Sequence, residues 1–452
     1  MKEKRVKISV EYIAVLIISL AFYLFWCFLD GVYITPDAET YIHMEMSREP
    51  GYCMYLAFFR CFLGEQNYLF GAIVGQSIIA AMTATVLYKE LKVRFSLGKI
   101  TAVLILLIQY GVTLLNRFVA QRRSGYFNSI ETEGLAYSLW ILFFLALIRI
   151  LYDKSKKDVV LAFVWSVILV SIRKQMYIAV ILLFMTYIYA YCKKNKRIKI
   201  IFQSVVLCIG VLIVSNLIDC SYNFVLRGKF QTHSGDASFI LGTEIFVADN
   251  DMVKYIKDSK NQEYFSMIMS SADEQKFNIR YADSDWMSIE DKYSESYDNI
   301  KFRIINPLIH DDLRAAGIEE GLLTEKYNEI IHEMMSDLLV PCIPGIIKLY
   351  WCNVLSGLIT TVLKVNVKLN LIAILEYICY LIVCIWILKK GKKNTSSVLP
   401  LAILVLLAIL VNILFTSTTI YCQMRYMQYC TALFYQVGLV MLIEVNRTRK
   451  VK

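Results

Sequence analysis

Residues 30–52, DGVYITPDAETYIHMEMSREPGY, are the stretch around which the chain is organised. They form the first polar segment after a long apolar run at residues 9–29, and they collect carboxylates, a histidine, an arginine and tyrosines. An apolar helix of about 20 residues matches the thickness of the hydrocarbon layer of a membrane. The pattern therefore predicts a membrane anchor followed by a polar loop at the membrane surface.

Similar apolar runs recur through the 452 residues, of which 57% are hydrophobic. This composition predicts an all-α polytopic membrane protein and excludes a soluble domain. We predict about ten transmembrane helices, at residues 9–29, 67–88, 98–116, 133–152, 158–172, 175–192, 199–219, 370–388, 397–416 and 426–445.

Basic residues predict the orientation. Of the 48 Lys and Arg residues, 25 fall in six short clusters, at 1–7, 89–99, 149–157, 193–199, 389–393 and 447–452. Clusters between apolar runs indicate cytoplasmic loops rather than a nucleic-acid surface, so we expect membrane lipids and no nucleic acid as partners. Both termini are then cytoplasmic, and a plasma membrane is the expected location.

The same rule predicts the domain organisation. Residues 1–219 form a transmembrane module whose first outer loop is 30–66, and 158–192 must be two helices that turn outside at 171–175. Residues 220–342 are the only sizeable polar part, and their apolar spacing predicts a mainly helical extracytoplasmic domain. Residues 343–452 then supply an interfacial helix at 343–363 and the C-terminal spans.

Asp37 is the candidate catalytic residue. Thr35, Pro36 and Asp37 are typical of a helix start, with Thr35 as the cap, and acids there ordinarily complement the helix dipole. A helix continuing from this point places Asp37, Tyr41 and Arg48 on one face, at the depth of a lipid phosphate. Two further residues, Glu39 and His43, form an i,i+4 pair on a neighbouring face and are expected to support substrate binding.

Several motifs resemble those of the GT-C integral membrane glycosyltransferases, which include the protein O-mannosyltransferases and the lipid A aminoarabinose transferases. The first outer loop carries an acidic residue, a Pro-Tyr element and a Gly-ended interfacial helix, here Asp37-x-x-x-Tyr41, Pro50-Gly51-Tyr52 and Leu63-Gly64. The chain lacks the adjacent second proline of Pro-x-Tyr-Pro variants. Two later segments also resemble this family. Residues 128–135 are similar to the acidic start of the family's fourth span, and Arg425-Tyr426 is similar to its late Arg-Tyr motif.

The resemblance implies transfer of a sugar from a polyprenyl-phosphate donor to a hydroxyl of a glycan, lipid or protein acceptor at the outer face. Asp37 would act as general base, with inversion at the anomeric carbon. Cations would hold the leaving phosphate. The substrate-binding candidates are Glu39, Tyr41, His43, Arg48, Tyr52, Arg122, Arg123, Arg173, Lys174, Arg425 and Tyr426, although the outer cations also have an ordinary interpretation as solvated or lipid-contacting side chains.

A second acid is expected near Asp37. Glu131 and Glu133 are two residues apart and do not share a helical face, so only one is expected to face inward. We select Glu133 as the second catalytic candidate, because an ionisable group at the start of an apolar helix is costly unless it is used. It would orient the acceptor or hold a divalent cation.

No metal-ligand spacing is present. The twelve cysteines form no C-x-x-C pair, and His310-Asp311-Asp312 and His332-Glu333 match no established site. We therefore predict no tightly bound cofactor or metal. A loosely held divalent cation is compatible with the sequence.

Two other classes of protein also have many transmembrane spans and cationic residues at the outer face. A glycolipid flippase or transporter places charges in mid-span on several helices. A lipid-linked glycan polymerase or ligase of the O-antigen type is expected to use arginines of its large outer loop. Here the charges collect at the outer edge and an Asp follows the first span, so the glycosyltransferase interpretation is favoured.

Overall fold

The structure is a computed structural model, and it describes residues 10–118, 125–192, 197–235, 237–362, 367–390 and 398–450. The chain divides into two compact units. The first unit comprises Met1–Ser234, Thr361–Asn412 and Met424–Lys452, and the second comprises Gly235–Thr360 and Ile413–Gln423.

Helices account for nearly all of the regular structure. The first part of the chain contains α1 (Val10–Asp30), β1 (Tyr33–Ile34), α2 (Ala38–Ile42), α3 (Pro50–Arg94), α4 (Lys99–Thr113), α5 (Leu115–Phe118), β2 (Ser129–Ile130), α6 (Thr132–Asp153), α7 (Lys156–Ile172), α8 (Tyr177–Tyr191) and α9 (Arg197–Arg227). The second unit contributes α10 (Ser238–Val247), α11 (Ser259–Glu274), α12 (Trp286–Asn299) and α13 (Asn306–Ala315), and α14 (Glu320–Val362) begins within it. The chain continues with α15 (Val367–Lys390), α16 (Leu399–Thr416) and α17 (Met424–Lys450).

Among the described residues, nine helices are long and apolar enough to cross a membrane. They lie at Val10–Asp30, Pro50–Arg94, Thr132–Asp153, Lys174–Tyr191, Arg197–Arg227, Leu322–Val362, Leu371–Lys389, Leu399–Thr416 and Met424–Arg447. The prediction of an all-α polytopic membrane protein is confirmed.

Individual spans differ from the prediction. The predicted span at 98–116 is the 15-residue helix α4, which at 1.5 Å per residue is about 22 Å long and shorter than the hydrocarbon layer. Residues 158–192 are two helices, as expected, because the chain leaves the helix at Arg173. Residues 343–362 are not a separate helix but the end of the 43-residue helix α14, which continues through Pro341 and Pro344.

One glycine divides α3. Gly64 has φ 69° and ψ 173°, a conformation that glycine adopts readily and other residues rarely do. The helix that the sequence predicts to end at Gly64 therefore does so, and the apolar segment follows after the kink.

The core of the first unit is built on α6, whose side chains are almost all buried. A helix that is apolar on every side packs among neighbours on every side. Beside it, α1, α3 and α4 approach closely at the small residues Ala80, Ala81 and Ala84, which pack with Tyr23 and Tyr110.

The second unit is mainly helical. It spans Gly235–Thr360 and Ile413–Gln423, whereas the sequence predicts a helical domain at 220–342. Its buried core draws on α10 to α14, and Phe246, Phe265 and Tyr293 are among its largest buried side chains. Asp258 and Asp285 cap α11 and α12, since each carboxylate accepts two backbone N–H bonds of the first turn.

Candidate active site

Asp37 and Arg48 form an ion pair within the loop between α1 and α3. Nη2 of Arg48 donates to Oδ1 of Asp37 at 2.8 Å, and Nε donates to the Thr40 hydroxyl at 2.7 Å. Nη1 donates to the Tyr41 hydroxyl at 3.3 Å, and the guanidinium carbon lies 4.7 Å from the centroid of that ring. Four contacts with one short segment therefore fix the position of Arg48.

The predicted proximity of Asp37, Tyr41 and Arg48 is confirmed, but the predicted helical face is wrong. The helix α2 is only five residues long. Met44 then adopts φ 53°, in the left-handed region, and the chain turns back. Arg48 reaches Asp37 from outside the helix, so the contact depends on the turn and not on helical spacing.

Two neighbouring groups hold fixed protonation states. Burial raises the pKa of Tyr41 above its ordinary value, so its phenol stays protonated. Burial alone would lower the pKa of Arg48, but Tyr41 and Asp37 outweigh it, and the pKa rises above its ordinary value. Arg48 is a permanent cation next to a permanently neutral hydroxyl.

A second ion pair joins the start of α6 to the turn between α7 and α8. Nη1 of Arg173 lies 2.6 Å from Oε1 of Glu133 and donates to the Thr132 hydroxyl at 3.1 Å. That hydroxyl donates to Oε2 of Glu133 at 3.1 Å. The pair is buried, so removing one partner leaves an uncompensated charge inside the protein.

Arg425, in the first turn of α17, connects the two pairs. Its Nη1 lies 3.6 Å from Oδ2 of Asp37 and 4.0 Å from Oε2 of Glu131, and its Nε lies 3.8 Å from Oε1 of Glu133. One guanidinium thus contacts three carboxylates. We call the resulting group the arginine–carboxylate cluster; it consists of Asp37, Arg48, Glu131, Glu133, Arg173 and Arg425.

Tyr426 supports two of these cations. The guanidinium carbons of Arg173 and Arg425 lie 4.5 Å and 4.7 Å from the centroid of its ring. Arg425 also donates to the Tyr426 hydroxyl at 2.6 Å. The ring face attracts both cations and helps to hold like charges close together.

Glu131 belongs to the cluster, although helical spacing predicts that it faces away from Glu133. Glu131 and Glu133 are both buried and both within 4.0 Å of Arg425. The expectation that only Glu133 faces inward is wrong, because Glu131 precedes α6 with extended backbone angles (φ −159°, ψ 159°). Helical spacing does not apply to a residue outside the helix.

A short parallel strand pair brings the first loop to the start of α6. Tyr33 pairs with Ser129 and Ile34 with Ile130. Thr35 does not cap a helix as predicted; its hydroxyl donates to the Ile130 carbonyl at 3.0 Å. This pairing positions Asp37 beside Glu131 and Glu133.

Buried amide side chains hold the other loops. Gln76 accepts from the Tyr52 hydroxyl at 2.9 Å and donates to the Phe127 carbonyl at 2.9 Å. Gln175 donates to Oδ1 of Asn412 at 2.8 Å and to the Tyr426 carbonyl at 2.9 Å. Gln76 and Asn412 lie within apolar helices, and an amide in such a helix is a sequence signal that could have predicted their roles, because the group requires a partner inside the membrane.

The remaining predicted residues lie at different depths. Glu39 and His43 form the expected i,i+4 pair at 3.1 Å, with both side chains about two-thirds exposed (65% and 68%). Tyr52 is fully buried and packs edge-on against Tyr41, 5.3 Å between ring centroids. Lys174 contributes its backbone N–H, and its side chain is exposed. Two candidates, Arg122 and Arg123, lie outside the described residues.

Exposure distinguishes the three acids of the cluster. The Asp37 side chain is 41% exposed, whereas those of Glu131 and Glu133 are 2% and 5% exposed. Asp37 is therefore the carboxylate that a molecule from outside can reach, with Arg48 and Arg425 on either side of it. The cluster combines three acids with three cations and is neutral overall when all are charged.

The described residues contain no group of three or more His, Cys, Asp or Glu side chains placed to hold a metal ion. His310, Asp311 and His332 lie in the second unit, where Asp311 pairs with Arg314.

Comparison of the chain with models of protein families, with curated proteins and with solved structures finds no match.

Proposed function

We propose that this multi-pass membrane protein is a glycosyltransferase of the GT-C type, which transfers a sugar from a polyprenyl-phosphate donor to an acceptor hydroxyl. The observation that carries the proposal is the position of Asp37, a reachable carboxylate flanked by the guanidinium groups of Arg48 and Arg425. A base and phosphate-binding cations are the two groups that this reaction requires at one place.

The proposed chemistry is a single displacement. The acceptor oxygen attacks the anomeric carbon as Asp37 takes its proton. The bond from that carbon to the phosphate oxygen breaks, and its electron pair leaves with polyprenyl phosphate. Because attack and departure occur on opposite faces of the sugar, the configuration at the anomeric carbon inverts.

The three arginines are assigned to the donor phosphate. Guanidinium groups bind phosphate oxygens in a bidentate manner and stay charged at every physiological pH. In the structure their charges are balanced by Asp37, Glu131 and Glu133. An incoming phosphate would replace Asp37 as the partner of Arg48 and Arg425. The Asp37 carboxylate would then be free to act as the base.

Glu133 is assigned to holding Arg173 rather than to contact with the acceptor. It is buried beneath the guanidinium and the Thr132 hydroxyl, which together occupy both of its oxygens. This assignment gives the second acid a positioning role.

The basic clusters favour a topology with both termini in the cytoplasm and the arginine–carboxylate cluster at the outer face of a plasma membrane. Both termini on one face require an even number of crossings, which is met when α4 and α7 cross and α14 does not. Apolar helices adjoining the cluster suit a donor whose sugar is attached to a lipid.

The test is an assay of the purified protein in lipid nanodiscs with a panel of radiolabelled polyprenyl-phosphate pentoses and hexoses and hydroxyl acceptors. We expect transfer from at least one donor, with an anomeric configuration in the product opposite to that of the donor. Retained configuration contradicts the mechanism. Movement of lipid-linked glycans across the bilayer of proteoliposomes, with no transfer from any donor, supports the flippase alternative.

A further inference from the structure

A second polar group lies beside the arginine–carboxylate cluster and has no part in the mechanism above. It consists of Asp219, about two turns before the end of α9, His233, in the segment after α9, and Glu49, just before α3. All three side chains are mostly buried, with exposures of 6%, 11% and 13%. We call this group the Asp219–His233–Glu49 triad.

Asp219 fixes the position and ring orientation of His233. Its carboxylate accepts two bonds from the backbone N–H of His233, at 3.1 and 3.2 Å, and lies 2.5 Å from Nδ1 of the ring. Since a carboxylate only accepts, Nδ1 carries a proton. Asn223 donates to Oδ1 of Asp219 at 3.1 Å and completes its bonding.

The other ring nitrogen faces a second acid. Nε2 of His233 lies 3.9 Å from Oε1 of Glu49, too far for a hydrogen bond and near enough for charge attraction. It is buried and has no hydrogen-bond partner among the described residues. A proton on Nε2 makes this contact an ion pair, and its loss leaves a lone pair facing a carboxylate.

Glu49 touches both loops that carry arginines of the cluster. It directly follows Arg48, and its Oε1 accepts from the backbone N–H of Lys174 at 3.1 Å. Lys174 directly follows Arg173. The position of the Glu49 carboxylate is therefore linked to the backbone next to Arg173, and through its own backbone to Arg48.

The segment that carries His233 is attached to the same loop. Ser234 donates its backbone N–H to the Met46 carbonyl at 2.9 Å, and Arg227 donates to the Met44 carbonyl. The segment, the first loop and the turn before α8 thus meet at Glu49.

We propose that His233 is a positioning residue which, when Nε2 is protonated, holds Glu49 and through it sets the spacing of Arg48 and Arg173 for the donor phosphate. This inference rests on the proposed function. The acids that face the ring are Asp219 and Glu49. Tyr177 interacts with both acids, Tyr222 with Asp219, and Cys53 and Arg48 with Glu49, while Arg227 is bonded to Asn223 at 2.7 Å.

The test compares the wild type with His233→Asn and Glu49→Gln, using Glu45→Gln, an exposed acid of the same loop, as matched control. Asparagine retains a donor to Asp219 but presents no cation to Glu49. We expect the KM for the polyprenyl-phosphate sugar to rise about tenfold at pH 6 in both variants, because the arginines lose their alignment, with kcat nearly unchanged. The double variant His233→Asn/Glu49→Gln should raise the KM no further than either single variant, because both residues act through the same contact. A further rise of the KM in the double variant, or a fall in kcat with unchanged KM, overturns the proposal.

Hydrogen exchange tests the Asp219–His233–Glu49 triad without relying on sugar transfer. Protection factors of the amides in 44–48 and 231–234 should fall in His233→Asn relative to the wild type and to Glu45→Gln. If that loss occurs in a protein that transfers no sugar, the triad holds these segments together but the proposed function is wrong. Unchanged protection contradicts the triad itself, whatever the activity.

Discussion

Nη1 of Arg425 lies 3.6 Å from Oδ2 of Asp37, which joins the first turn of the last helix to the loop that follows the first helix. The same guanidinium contacts Glu131 and Glu133. Arg425 is therefore the shared partner of all three acids, and its removal should disturb the whole cluster.

Arg425→Lys and Arg425→Gln should both weaken donor binding, the glutamine variant more. Lysine preserves the charge but cannot form a bidentate contact with phosphate. Since a hydrogen bond to a charged group contributes about 1.5–3 kcal/mol, we expect Arg425→Gln to raise the KM for the donor by about 10–100-fold. Native mass spectrometry of bound polyprenyl phosphate provides the measurement, and Arg303→Lys, at an exposed arginine of the second unit, is the control. Equal affinity in all three variants contradicts phosphate binding at Arg425.

Glu133→Gln should lower the stability of the first unit by more than the loss of the Glu133 contacts alone. The change leaves Arg173 buried without its main counter-charge, a loss of about 3–5 kcal/mol in comparable buried pairs. In the double variant Glu133→Gln/Arg173→Gln no charge is left unpaired at this place, so stability should partly return. Thermal unfolding in detergent measures both effects. If the double variant is less stable than either single variant, the pair does not act as a unit.

Gly51→Ala should impair both folding and donor binding. A Cβ at Gly51 would lie 2.7 Å from the carbonyl oxygen of Ser171 and 2.9 Å from the Ile172 side chain, next to the turn that carries Arg173. Backbone atoms cannot move aside cheaply, so the loops must separate. We expect a lower Tm and a higher KM for the donor. Gly111→Ala is the matched control, because nothing lies within 4 Å of its Cβ position, and it should be neutral or stabilising.

Glu244 should make the stability of the second unit depend on pH. Its carboxyl group is fully buried, and burial raises its pKa to about 8. The unfolded chain releases this proton near pH 4.5, so the folded state binds more protons between about pH 4.5 and pH 8. The free energy of unfolding should therefore fall as the pH rises through this window, by at most about 1.4 kcal/mol per pH unit.

The variant Glu244→Gln cannot titrate and should be more stable than the wild type by an amount that grows from pH 5 to pH 8. Chemical denaturation at several pH values gives the measurement. Glu274→Gln, at an exposed glutamate of the same unit, should retain the pH dependence of the wild type. A constant difference between Glu244→Gln and the wild type contradicts a neutral buried carboxyl at this position.

The sequence predicts the helical membrane architecture because apolar run length is a direct physical requirement for crossing a bilayer. It predicts span boundaries less well. α4 ends at Thr113, short of the apolar run, and α14 continues through two prolines that would ordinarily interrupt a helix. Such boundaries depend on neighbouring helices, which local composition does not describe.

The sequence likewise predicts many residues of the candidate site but not their arrangement. Asp37, Arg48, Arg173 and Arg425 are each predicted from residue type and place in the chain, and the structure brings all four together. Glu131 was rejected by a spacing rule that holds only within a helix. The arrangement itself depends on a reversal at Met44 and on a strand pair of two residues, features too short to leave a periodic pattern.

The most direct test of the account is the single substitution Asp37→Asn, measured for both donor binding and transfer. Asparagine has nearly the same shape but cannot take the acceptor proton, so we predict a fall in kcat of about 10²- to 10⁴-fold. Binding of polyprenyl phosphate should be preserved or tightened, because Arg48 and Arg425 lose a competing carboxylate. The control Asp291→Asn, at an exposed aspartate, should transfer normally. Transfer at the wild-type rate by Asp37→Asn, or a loss of donor binding in a folded protein, contradicts the assignment of Asp37 as the base.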